Sequence, residues 1–156
     1  MKLTKTIRIV VIIALFLVAN FTCANRDSKA KKRPGPETTV VNLATDSYDV
    51  YIGRGIEVYK HMLIEGIKPG EEGWLGNPHP IGWCDICQED HTREECIDRF
   101  RQDFYKKIGS EPEFREAVLA LKGKRLGCYC KPKACHGDVI KAWIDSVKAV
   151  VTSPPQ

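Results

Sequence analysis

Apolar residues first occur as one unbroken block and only later as periodic patterns. Met1 to Arg8 is basic, and Ile9 to Asn25 follows as 17 uncharged, mostly apolar residues. A block of this kind directs a chain to a membrane. Small residues around Thr22-Cys23-Ala24 suit cleavage after Ala24, which would make 1–25 a signal peptide and the remainder secreted or periplasmic. The block is also just long enough to remain as a membrane anchor. Five basic residues follow it against three before it, a bias that would keep the next domain in the cytoplasm. The sequence leaves both outcomes standing.

Residues 26–37, with a Lys/Arg run and Arg33-Pro-Gly-Pro36, read as an exposed basic linker. Beyond it the apolar spacing predicts strands over Thr38–Leu43 and Tyr48–Ile52 and a helix over Ile56–Ile64. A longer helix starts at Thr92, whose capping box with Glu95 precedes Ile97, Phe100, Phe104 and Tyr105 on one face, and Gly109 ends it. Ser110 with Glu113 repeats the box for a helix carrying Phe114, Val118 and Leu121, which Gly123 stops. A strand over 124–130 follows. Val139, Ile140, Trp143, Ile144 and Val147 then predict a last helix from near Cys135. Helices alternating with strands give an α/β class: a single small domain over 38–150, with a short, mostly parallel sheet and packed helices, then a loose tail over 151–156.

Charge changes the picture only after the N-terminal region is set aside. The chain has 24 Lys+Arg and 20 Asp+Glu, but residues 1–33 hold eight of the former and one of the latter, leaving 16 against 19. The folded part is therefore net −3, and its partner is not expected to be a nucleic acid held by phosphate neutralisation. Positive charge is local, at Lys122 to Lys133.

That local patch surrounds the densest chemistry in the chain, Gly123-Lys-Arg-Leu-Gly-Cys-Tyr-Cys-Lys-Pro-Lys-Ala-Cys-His-Gly-Asp138. Cys128 and Cys130 are two apart, so on an extended strand they share a face, at the strand end where open α/β sheets bind ligands. Cys135 and His136 fall at a helix N-terminus, where unpaired N–H groups and the macrodipole favour a thiolate and attract anions. Lys131 and Lys133 add charge suited to an anionic ligand. This reading makes Cys135 the most reactive thiol, His136 its proton carrier and Asp138 either a first-turn charge or the group orienting the imidazole. The structural alternative has Cys128 as a small core residue and the Cys-His pair as packing at a helix end.

A second constellation is Trp83-Cys84-Asp-Ile-Cys87-Gln-Glu-Asp-His91-Thr-Arg-Glu-Glu-Cys96. Its Cys-x2-Cys-x3-His-x4-Cys spacing is close to a zinc knuckle, with Cys84, Cys87, His91 and Cys96 as the ligands. Cys96 can equally be core, and Cys84 with Cys87 can meet Cys128 and Cys130 in a four-thiolate site. In an exported domain the six cysteines after Cys23 can instead pair as disulfides.

The C-terminal Cys-x-Cys-x4-Cys-His-Gly-Asp passage resembles the signature of the domain of unknown function 4326 family, small α/β domains of bacteria and phages. Val40-Val-Asn-Leu43 with Val50-Tyr-Ile-Gly-Arg54 resembles that family's opening strands, Leu75-Gly-Asn-Pro-His79 its Gly-Asn-Pro turn, and Thr92 to Arg101 its middle helix. The resemblance covers about residues 39–146. It implies Arg54, Asn77 and Asp138 as orienting groups beside Cys128 and Cys130, and it brings no established activity. The stretch Gly55 to Trp74 departs from the family by its length. Three readings follow: a site binding or processing a small anionic, nucleotide-like ligand, a zinc-stapled binding module without catalysis, or an exported disulfide-stabilised effector.

Overall fold

The computed structural model describes residues 36–56 and 60–151, all within the compact unit Pro34–Gln156. The N-terminal apolar block and nearly all of the linker lie outside the described residues. Among the described residues no helix is long and apolar enough to cross a membrane.

Three short parallel strands form the central sheet: β1 (Thr39–Asn42), β2 (Val50–Tyr51) and β5 (Arg125–Cys128), in the order β1-β5-β2. Val40 and Val50 both register with Leu126, and Asn42 registers with Cys128. Asp49 fixes the entry to β2, accepting from the backbone N–H of Arg125 at 2.7 Å and pairing with its guanidinium at 3.2 Å. An antiparallel hairpin, β3 (Gly82–Cys84) with β4 (Glu89–His91), forms a second, separate sheet.

The helix α1 (Arg93–Ser110) begins as its sequence dictates. Thr92 caps it, its hydroxyl accepting from Glu95 N, while the Glu95 carboxylate accepts from Thr92 N at 2.7 Å. Phe100, Phe104 and Ile108 turn its apolar face inward. The helix α2 (Pro112–Leu119) starts differently from the expected second box. Glu111 is its N-cap without a side-chain bond, and Pro112 opens it. The Ser110 hydroxyl is occupied, donating back to the carbonyl of Lys106 at 3.0 Å in the last turn of α1. Gly123 ends the turn after α2 with a positive φ of 80°, a conformation that favours glycine.

The last helix, α3 (His136–Val151), packs on β1 and against α1 and α2. Phe104 joins the helices, its ring 6.0 Å from Phe114 and 6.1 Å from Trp143. Leu126, Ile140 and Ile144 complete the core with Ile52, Met62, Trp74 and Leu75. The helix expected over Ile56–Ile64 does not form in its described part. Residues 60–61 are irregular and 62–63 form a turn, closed by Ile64 N donating to the His61 carbonyl, and Leu63 and Ile64 are exposed rather than aligned on a buried face.

Candidate functional site

Two Cys/His clusters flank one cavity. The first is built by the hairpin. The β3-to-β4 turn passes through Gln88 at φ 59°, with Gln88 N donating to the Cys84 carbonyl, and this brings Cys84 and Cys87 to the same side. His91 ends β4, one residue before the Thr92 cap, and His79 enters from the preceding loop. One donor atom from each of His79, Cys84, Cys87 and His91 lies within 4.8 Å of the others, so the group can hold a metal ion. Nδ1 of His79 is 3.5 Å from Cys84 Sγ and 3.3 Å from Cys87 Sγ. Its Nε2–H donates to Asp103 at 2.8 Å, which leaves the Nδ1 lone pair facing the sulfurs. Nε2 of His91 is buried without a hydrogen-bond partner. Burial and the neighbouring Cys84 raise the Cys87 thiol above its ordinary range.

Cys96 is not in this group. Its Sγ donates to the Pro80 carbonyl at 2.7 Å, and burial raises its thiol. His79 takes the fourth position that sequence spacing gave to Cys96. The missed signal was the His-x4-Cys-x2-Cys-x3-His spacing, hidden because His79 reads as part of the Gly-Asn-Pro-His turn. Asn77 is that turn's organiser, its Oδ1 accepting from His79 N at 2.9 Å and its Nδ2 donating to the Cys96 carbonyl.

The second cluster stands at the C-terminal end of the parallel sheet. Cys128 ends β5, and Cys130 lies past the strand in a turn closed by Lys133 N donating to the Cys130 carbonyl. Cys130 therefore reaches the site through the turn, not by alternation along a strand. The sulfurs of Cys128, Cys130 and Cys135 lie within 4.8 Å of one another, apart from Cys84 and Cys87. All six described cysteines are unbridged. His136 donates from Nε2 to the Ile52 carbonyl at 2.8 Å and turns Nδ1 toward Cys135 Sγ at 3.8 Å. Gly137 N donates to Cys135 Sγ at 3.3 Å.

The thiol whose thiolate this cluster favours is that of Cys130. Hydrogen bonds from Cys128, Cys135 and His136 hold its thiol far below the ordinary range, whereas Cys128 and Cys130 push Cys135 far above it. Burial opposes a charge on His136, but its interactions with Cys128 and Cys130 prevail and raise it to about 9. Cys135, although at a helix N-terminus, is 1% exposed. Asp138 does not orient His136, since the Ile52 carbonyl does. The Asp138 carboxylate instead accepts from Cys135 N at 3.1 Å and pairs with Lys131 at 2.6 Å.

Between the clusters lies a cavity of about 260 Å³. Arg54, Asn77, Cys128, Cys130, Cys135 and His136 line it, together with Tyr51, His79 and Arg93, which sequence reasoning did not select. Lys131 and Lys133 are not among its lining residues: Lys131 is committed to Asp138, and Lys133 is on the exposed turn. Arg93 is anchored by donating to the Ala134 carbonyl at 3.3 Å.

No solved structure matches the chain. A stretch of 49 residues is 47% identical to the "Uncharacterized 12.4 kDa protein in nrdA-td intergenic region" of Enterobacteria phage T4, covering 31% of this chain and 45% of that protein. The chain thus spans about half the length of the curated relative it matches. Domain of unknown function (DUF4326) matches residues 39–146, from β1 through most of α3, and the chain belongs to that family.

Proposed function

We propose that this domain binds a small anionic, nucleotide-like ligand in the cavity beside the sheet. The observation that carries the reading is the pair of guanidinium side chains, Arg54 and Arg93, on one cavity past the C-terminal ends of β2 and β5. Guanidinium groups form paired bonds with phosphate or carboxylate, and Tyr51 and Tyr129 add aromatic surface to the same lining. The cavity volume of about 260 Å³ suits a small molecule better than a polymer. Calorimetric titration of the purified full-length chain in mild detergent with adenosine monophosphate, inorganic phosphate and uncharged adenosine tests this. The two phosphates bind and adenosine binds far more weakly. Arg54→Ala and Arg93→Ala each weaken phosphate binding by about tenfold or more, the cost of one charge-assisted contact. Equal binding of all three probes, or none, would refute the reading.

A specific observation favours a zinc staple as well. A tetrahedral zinc with Zn–S of about 2.3 Å and Zn–N of about 2.0 Å sets sulfur and nitrogen about 3.5 Å apart. The His79 contacts match that edge at 3.3 and 3.5 Å, and the unpartnered Nε2 of His91 gains a ligand's role. Asp103 supplies the carboxylate that metal-bound imidazoles commonly carry behind them. Asp103→Asn should weaken zinc binding by about 10- to 100-fold in a chelator competition. An unchanged affinity would remove Asp103 from the site.

A further inference from the structure

The C-terminal cluster repeats the features of the first one with a different donor set. Its three sulfurs converge to within 4.8 Å and no disulfide joins them, while Nδ1 of His136 stands outside that converged group, 3.8 Å from Cys135 Sγ. The tautomer is fixed from behind. A carbonyl oxygen can only accept, so Nε2 of His136 carries the proton given to Ile52, and Nδ1, the nitrogen on the sulfur side, is the one that must be free of a proton for a metal to bind. The backbone N–H of Gly137 donates to Cys135 Sγ and supports the thiolate that this sulfur must become when a metal binds. Cys135 is 1% and His136 5% exposed, so these two donors are buried against their neighbours. The loop that carries them is tied at three points. Asn42 donates to the Lys131 carbonyl at 2.7 Å, Lys131 pairs with Asp138, and Asp138 accepts from Cys135 N.

We infer that Cys128, Cys130 and Cys135 hold a second zinc ion and that Nδ1 of His136 closes in on it as the fourth donor, giving a closed three-sulfur, one-nitrogen shell. Soft thiolates with one imidazole are a donor set for tetrahedral zinc, and four protein donors leave no open coordination position. Each thiol gives up its proton on binding, and the imidazole binds in its neutral form, releasing the Nδ1 proton that its raised pKa favours without metal. Three thiolates on a divalent ion leave the site at net −1. Arg54 and Arg93 across the cavity offset that charge, so the cavity still accepts an anion. The metal joins the end of β5 to the start of α3, and its presence does not depend on the anion-binding reading.

The experiment is metal analysis of the full-length chain, purified in mild detergent under reducing conditions, followed by cobalt substitution. Two zinc equivalents per chain are expected. Cys130→Ser combined with Cys135→Ser lowers the content from two to one, and Cys84→Ser combined with Cys87→Ser removes the other. One equivalent that survives the Cys84 and Cys87 changes and is lost with the Cys130 and Cys135 changes supports the second site and sinks the hairpin site instead. One equivalent indifferent to Cys130 and Cys135, or no metal at all, overturns the inference. Variants that fail to fold leave the parent as judge. Sulfur-to-cobalt charge transfer and X-ray absorption count five thiolates over two metals if both clusters are filled, against two thiolates over one metal if only the hairpin binds. The latter count likewise overturns it.

Discussion

At the residue scale, Thr92 and Glu95 do two things with one set of bonds: they start α1 and hold His91, the preceding residue, at the hairpin cluster. Thr92→Ala leaves first-turn N–H groups unpaired and should lower stability by about 1 kcal/mol in thermal or urea unfolding. The bond from Thr92 N holds the Glu95 carboxyl below its ordinary value. Its folded pKa is depressed, so its contribution is present above the unfolded carboxyl value near about 4.3 and is lost as pH falls through the folded value. Glu95→Gln should therefore melt below the parent at neutral pH, and the gap should close in acid. A gap that does not depend on pH would assign the effect to the lost helix charge-independent packing and not to the carboxylate. Cys130 and Cys135 make a second residue-scale contrast. In metal-stripped protein, iodoacetamide should modify Cys130 first, because Cys130 is half-buried on the cavity while Cys135 is 1% exposed. Faster labelling of Cys135, mapped by mass spectrometry, would restore the helix-terminus argument that the sequence alone suggests.

At the element scale, the approach of α3 to the sheet sets the reach from His136 to the Ile52 carbonyl. Gly137 permits it: a Cβ there would fall 2.6 Å from Ile52 Cδ1 and 2.9 Å from Val40 Cγ1. Alanine is the better helix former, yet Gly137→Ala should destabilise by about 1–3 kcal/mol, because overpacking against buried neighbours outweighs a propensity gain of about 1 kcal/mol. A stabilised variant would mean that Ile52 and Val40 repack freely. The same scale explains what could be read in advance. Helix α1 was legible because cap, box and apolar stripe are local signals, and so were β5 and the start of α3. The hairpin was not, since strands of three residues carry too little alternation to register. Ser110 misled because its hydroxyl satisfied the spacing of a cap but bonded backward, leaving Glu111 and Pro112 to start α2. His79 was missed for a related reason: a group of donors assembled by a loop, a hairpin and a helix start follows folded distance, and Cys96 had the better sequence spacing.

At the scale of the whole molecule, regular structure is unevenly spread. Between Ile52 and Thr92 the described chain holds only two strands of three residues, while the core aromatics Phe100, Phe104, Phe114 and Trp143 lie on α1, α2 and α3 and Trp74 alone comes from this stretch. A stretch so poor in ladders and helices gains most from a cross-link, and a metal held by His79, Cys84, Cys87 and His91 would supply one without a disulfide. Its loss should loosen the hairpin more than the core. With Cys84→Ser and Cys87→Ser, hydrogen exchange should rise over residues 79–91, while the part of α1 around Phe100 and Phe104 stays protected. The hairpin cluster also reaches the cavity, since His79 lines both, whereas Cys84 and Cys87 do not touch the cavity. The same double substitution should therefore weaken phosphate binding although neither altered residue contacts the ligand. Stripping zinc from the parent should weaken phosphate binding likewise, and reciprocity then requires phosphate to tighten zinc binding in the parent by the factor so measured. Zinc affinity measured by chelator competition, with and without phosphate, decides this. Equal affinities would leave the hairpin as a staple with no part in the cavity.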